Sequence, residues 1–136
     1  MLHLQLKRVR FSKEADTWLR VLKSRTGITP NILCRMALCL SLEERGVPDP
    51  RTYPEDSDRQ IDRPTLLGEY DAAFVALLRQ RLLNDGLLSG DNLEDQFRAH
   101  VHRGIVLLAN RLKELGDLGG SLILIRQPAV EAVPEP

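Results

Sequence analysis

Along this chain the apolar positions recur first with period two and then with the period of a helix. Val9 and Phe11 alternate with Arg8 and Arg10, as in a half-buried strand with its arginines outward. Leu2, Leu4 and Leu6 fall on the arginine side, so the strand starts near Lys7 or a bulge intervenes. A helix follows: Ala15, Trp18, Leu19 and Leu22 share one face, Ser12 is a good N-cap, and Glu14 and Asp16 suit the positive end of its dipole. Gly27 is placed to close it in the left-handed conformation. Thr29 and Pro30 then open a second helix. Its stretch 32–42 is apolar except for Arg35 and Ser41, which predicts a helix enclosed on nearly all sides by the rest of the chain or by another subunit. An arginine there must reach solvent or meet a carboxylate: Glu43 or Glu44 of another chain, or an acid of a later helix.

Residues 46–64 break the pattern. Pro48, Pro50, Pro54 and Pro64 among acidic residues read as a long irregular surface connection, tolerated more than functional. A third helix is predicted over 66–84, with Tyr70, Ala73, Phe74, Leu77, Leu78 and Leu82 as its stripe and Gly86 beyond its end. Asp91 and Glu94 form a capping box for a fourth, carried by Leu93, Phe97, Val101, Ile105, Leu108, Leu112 and Leu115 and ended by Gly116, Gly119 and Gly120. The short run 121–125 is open between a strand and a docked extended segment, and 127–136, with three prolines, reads as a disordered tail. The expected fold is all-α: a short N-terminal strand, then a helical bundle. One domain spans 1–126, made of a strand-helix-helix module (6–45), an acidic Pro-rich loop (46–64) and a two-helix part (65–115).

Charge sharpens this picture. The 19 basic and 19 acidic residues cancel, so no global field draws the chain to a polyanion. Their distribution is uneven. The first 42 residues carry Lys7, Arg8, Arg10, Lys13, Arg20, Lys23, Arg25 and Arg35 against Glu14 and Asp16; residues 49–71 are strongly acidic. A basic head of this kind neutralises phosphates with counterion release, and Lys7, Arg8, Arg10, Lys13, Lys23 and Arg25 are the candidate DNA contacts. The bland alternative is a solvated basic face that meets the acidic loop of a neighbouring subunit.

Other chemistry is weakly supported. His100 and His102 stand about 200° apart on a helix, too far to share a metal, and read as surface or interface histidines. Cys34 and Cys39, about 140° apart, cannot bridge within their helix, and as buried thiols in an apolar run they lack the electropositive setting of a nucleophile. No phosphate loop opens a helix and no nucleophile–base set is visible. The expectation is therefore a protein that is not an enzyme, with no cofactor and no metal. No apolar run nears the ~20 residues of a bilayer span, and reduced cysteines without a signal peptide fit the cytoplasm.

Strand, helix, glycine turn and helix, with arginines on the strand, resemble a ribbon-helix-helix module, in which two strands pair into a ribbon that enters the major groove. The resemblance extends further. Thr26-Gly27-Ile28-Thr29-Pro30-Asn31, followed by Arg35, Ala37 and Ser41-Leu42-Glu43, resembles the DndE family, and so do the stretches 65–70 (TLLGEY) and 100–105 (HVHRGI). The similarity reaches to about Leu115. The family belongs to the bacterial system that replaces a non-bridging phosphate oxygen of DNA with sulfur, in the setting of restriction-modification and phage defence. The resemblance implies a homo-oligomer, a tetramer, that binds duplex and nicked double-stranded DNA. Its implied partners are the other subunits of the phosphorothioation complex, a reductase-like protein and an SMC-like ATPase, with sulfur supplied by a cysteine desulfurase. Relatives carry a Gly-x-x-Gly turn linked to oligomer form; here its first position is Ser24 and only Gly27 remains. With the apolar second helix, this places Gly27, Ile32, Met36 and Leu40 at the expected oligomer interface. The alternatives are a ribbon-helix-helix transcriptional regulator or antitoxin, against which the two later patterned helices count, and a scaffold that never touches DNA.

Overall fold

The computed structural model describes residues 4–87 and 92–132, with side chains for all of these except 92 and 117–132. Its elements are β1 (Arg8–Arg10), α1 (Lys13–Thr26), α2 (Pro30–Glu43), a 3-10 turn at Pro50–Thr52, β2 (Gln60–Asp62), α3 (Arg63–Leu67), a 3-10 turn at Gly68–Tyr70, α4 (Asp71–Asn84) and α5 (Asn92–Ala132). The local signals of the first module act as expected. Val9 and Phe11 are fully buried while Arg8 and Arg10 are exposed. The Ser12 hydroxyl accepts the Ala15 N–H at 3.1 Å, and Gly27, at φ 76°, donates its N–H to the Lys23 carbonyl at 2.8 Å. Residues 4–6 lie outside the strand, which removes the parity conflict of the leucines. Thr29 takes the N-cap position of α2, but its hydroxyl donates to Asn31 Oδ1 at 2.6 Å instead of capping the helix.

The connection 46–64 is mostly exposed, as expected, but it is not irregular throughout. It contributes β2, which pairs antiparallel with β1 in the register Arg8 to Asp62, Val9 to Ile61 and Arg10 to Gln60. Backbone bonds extend the pairing, with Phe11 N–H donating to the Arg59 carbonyl and Ser57 N–H to the Phe11 carbonyl, both at 3.1 Å. Guanidiniums from the later helices fasten the rest: Arg98 donates to the carbonyls of Tyr53 and Pro50, and Arg81 and Arg103 both donate to that of Gly46.

Within the single chain the enclosed helix is α5, and one side of α2 stays open. In α2 only Leu33, Cys34, Ala37, Leu38 and Ser41 are buried; Ile32 and Met36 keep 37% and 40% of their surface, and Cys39 is exposed. In α5 four consecutive residues, Ala99, His100, Val101 and His102, are buried, and four in a row cover every side of a helix. The reason is position. The first half of α5 packs along α2 and also against α1, α4 and the first 3-10 turn. Gly104 permits the closest approach: a Cβ on it would stand 1.8 Å from the Ala37 carbonyl oxygen.

This corrects the histidines, which are core residues and not surface ones. His102 accepts the Ser12 N–H on Nε2 at 3.1 Å, and its Nδ1 lies 2.8 Å from the Arg98 carbonyl, so Nδ1 carries the proton. Its ring packs between Phe11 and Tyr53. His100 Nδ1 lies 2.8 Å from Ser41 Oγ. Burial, with Arg103 and Arg81 nearby, pushes the His100 pKa down to about 4, and burial pushes His102 down to about 4 as well.

Three further expectations change. The third helix is broken at Gly68, whose φ of 55° and ψ of −136° no continuing helix allows, so α3, a 3-10 turn and α4 replace it. Among the described residues of its own chain Arg35 meets no carboxylate: its Nε donates to the Leu66 carbonyl at 2.7 Å and its Nη2 to that of Thr65 at 3.3 Å, satisfying the C-terminal carbonyls of α3. A Cβ on Gly68 would come within 2.9 Å of that guanidinium, so the break and the clamp go together. Finally, α5 runs on to Ala132. Helix replaces the strand or extended segment expected at 121–125 and the first part of the tail expected from 127; a glycine costs a helix only about 1 kcal/mol and does not forbid it. The Asp91 cap lies outside the described residues, as do residues 133–136. The Glu94 carboxylate accepts the Gln5 N–H, which ties down the segment that leads into β1.

Candidate nucleic-acid interface

The ribbon of β1 and β2 has an apolar inner face, Val9 and Ile61, and a polar outer one. Strand alternation therefore turns Arg8 and Arg10 out together, with Lys7 exposed just before them and Lys13 exposed at the first position of α1. Arg8 Nε lies 3.4 Å from Asp62 Oδ1, an open pair with side chains 43% and 65% exposed, which holds the guanidinium only weakly. The side chains of Lys7, Arg10 and Lys13 have no hydrogen-bond or ion-pair partner among the described residues.

The acidic middle of the chain folds back beside this face. Asp56 accepts the Lys13 N–H at 2.8 Å, and Asp16 holds both Arg59, at 2.6 Å, and Arg20, at 3.2 Å. Burial works against the Asp16 carboxylate, yet the two guanidiniums hold its pKa below the usual carboxylate range. The basic head thus meets the acids of its own chain, and Arg20 and Arg59 are partly neutralised. Lys23 and Arg25 are exposed too, but Lys23 lies ten residues beyond Lys13, about 15 Å along the helix axis. Four of the six candidate cations are exposed on or within three residues of β1, and two lie at the far end of α1. Gln60, exposed on β2 opposite Arg10, joins the outer face; the alternation Gln60-Ile61-Asp62 is its only trace in the sequence.

The expected interface residues divide in a similar way. Ile32 and Met36 are exposed and Leu40 half-buried along one side of α2; Gly27 is exposed in the turn before it. Ile32, Met36 and Cys39 of α2 and Tyr70, Ala73 and Leu77 of the following segment line an open apolar depression of about 470 Å³. Burial pushes the Cys34 thiol up to about 12, and burial with the Glu43 carboxylate also raises that of Cys39, so neither is held as a thiolate. Among the described residues no three His, Cys, Asp or Glu side chains cluster to hold a metal ion, and no helix is long and apolar enough to cross a membrane.

The fold and its surfaces define a small helical protein built around one enclosed helix, with a two-stranded ribbon whose outer face carries Arg8 and Arg10. The chain belongs to the DndE family: the family model described as DNA sulphur modification protein DndE matches residues 8–115. Among solved structures it is similar to DndE from Escherichia coli B7A, described as involved in DNA phosphorothioation modification. That similarity is 32% identity over 79% of this chain and 98% of that one, with a TM-score of 0.63. It is also similar to a DndE mutant with two glycines replaced by lysine, at 30% identity over 79% and 99% of the two chains and a TM-score of 0.60. No curated protein matches.

Proposed function

We propose that the chain is an accessory, non-enzymatic subunit of a bacterial DNA phosphorothioation complex that holds duplex or nicked DNA on the outer face of its ribbon. The observation that carries this is the outward pair Arg8 and Arg10 on β1, flanked in the chain by the exposed Lys7 and Lys13; Lys7, Arg10 and Lys13 have no partner among the described residues. Spaced cations on a flat ribbon suit phosphates, which repeat along any duplex, more than one base sequence. The reductase-like and SMC-like ATPase proteins of the same system are its proposed partners. The regulator or antitoxin reading is less favoured, because β2 occupies one edge of β1, the strand such regulators pair between two copies.

The test is a salt titration of duplex and nicked-duplex binding. Affinity should fall with a log–log slope of about −0.9 per phosphate neutralised. Replacing Arg8 and Arg10 together by alanine should flatten it by roughly one or two units while the fold persists, since both side chains point outward. An unchanged slope with unchanged affinity would remove the ribbon from the DNA contact.

A homo-oligomer, a tetramer, completes the proposal, with the exposed side of α2 at the contact. Light scattering should give an oligomer at micromolar concentration, and Met36→Glu should give a folded monomer, because Met36 is exposed in the single chain. A wild-type monomer under those conditions would refute it.

A further inference from the structure

A second surface, between α1 and α5, has different chemistry. The groove between α1 and α5 encloses about 450 Å³. Its walls are Trp18 and Val21 from α1 and Ala109 and Leu112 from α5, with Arg25 and Lys113 at its rim. We propose that this groove is a docking site for a segment of a partner protein whose apolar side chains are flanked by carboxylates.

Charge and composition both point to that occupant. Elsewhere in the fold, guanidiniums near apolar surface are engaged: Arg35, Arg81 and Arg103 hold helix-end carbonyls. Arg25 and Lys113 are exposed and hold no hydrogen-bond or ion-pair partner among the described residues, although they border an apolar groove. Two open cations on such a rim select a carboxylate-bearing ligand and set its register. The walls between them select the rest. They are aliphatic apart from the Trp18 ring, whose indole N–H is their one side-chain hydrogen-bonding group, so they suit aliphatic side chains better than a nucleotide. Trp18 is half-buried, an aromatic anchor with part of its surface still to cover. Arg25 therefore belongs to this groove and not to the duplex face, where its distance from β1 already sets it apart.

Trp18 is the single tryptophan of the chain, so its fluorescence reports occupancy of the groove directly. Random dodecapeptides displayed on phage are selected against the full chain, and the enriched peptides are synthesised and titrated while Trp18 emission is followed. The expected peptides combine acidic and apolar residues and shift the emission. They bind about tenfold or more weakly to the Arg25→Glu/Lys113→Glu variant, keep their affinity for Arg25→Lys/Lys113→Arg, and bind the Arg8→Ala/Arg10→Ala protein normally. Both substituted side chains are exposed, and a thermal melt verifies that the variants fold. Failure to enrich such peptides, or binding that ignores the charge reversal, overturns the proposal. So does a Trp18 response to duplex or single-stranded DNA that the charge reversal abolishes, which would make the groove a nucleic-acid surface. The salt slope set by Arg8 and Arg10 is read separately, so DNA binding by the ribbon stands or falls independently.

Discussion

Gly104→Ala is expected to destabilise the protein by about 3–5 kcal/mol and to lower its melting temperature by on the order of 10–20 °C. The added methyl would sit 1.8 Å from the Ala37 carbonyl oxygen, a backbone atom in the middle of α2. A flexible side chain could swing aside from such a contact, but here two helices must separate along the main contact of the core. Alanine is the better helix former by only about 1 kcal/mol, far less than that separation costs. Gly116→Ala in the same helix provides the contrast. Its Cβ would meet only Arg25 Nη1, at 3.9 Å, so the propensity gain remains and the variant should be about 0.5–1 kcal/mol more stable. Urea denaturation of both variants checks this. If Gly104→Ala unfolds at the wild-type midpoint, α2 and α5 do not cross this closely.

Stability is also expected to fall between pH 7 and pH 4, before the carboxylates titrate. The pKa values of His100 and His102 drop from 6.5 in a free chain to about 4 in the fold. Above pH 6.5 both are neutral in either state and contribute no pH dependence. Below it the unfolded chain binds protons that the folded chain refuses, so stability is lost progressively as pH falls toward 4. At pH 5 the loss is about 2 kcal/mol for each histidine. A second proton on His102 would sit on Nε2, where the Ser12 N–H now donates, and so would disturb the joint between β1 and α1. Asp16 and Asp71, whose pKa values lie below 3.8, lose their stabilising contribution only at lower pH and do not mask this window. Urea midpoints at pH 7.5, 6 and 5 measure the slope. A flat profile over that range would mean that neither histidine is held neutral in the core.

How much of this was legible beforehand depends on how far each residue reaches. Ser12, Gly27 and Pro30 act on backbone within four residues of themselves, so the boundaries of α1 and the start of α2 could be read directly. The alternation of Val9 and Phe11 with Arg8 and Arg10 likewise set which side of β1 faces water. The family itself was carried by a contiguous motif, and the match over residues 8–115 bears it out. Arg35, Arg81, Arg98 and Arg103 work otherwise. Their carbonyl partners lie 30 to 62 residues away, and nothing local distinguishes such a clamp from a solvated or DNA-binding cation. The apolar run in α2 leaves a related matter open: hydrophobicity states that a face must be covered, but not whether its own chain or another subunit covers it.

The sequence by itself determined the all-α class with one short strand, the outward cations of the ribbon and the family, because each rests on the 2.0 or 3.6 residue period or on neighbours in the chain. Tertiary structure alone decided that β2 lies beside β1, that within the single chain α5 is enclosed more fully than α2, that both histidines are core residues, and that Arg25 borders the groove between α1 and α5. Pairing of distant segments depends on which surfaces come to lie opposite one another in space, and no periodicity along the chain records that.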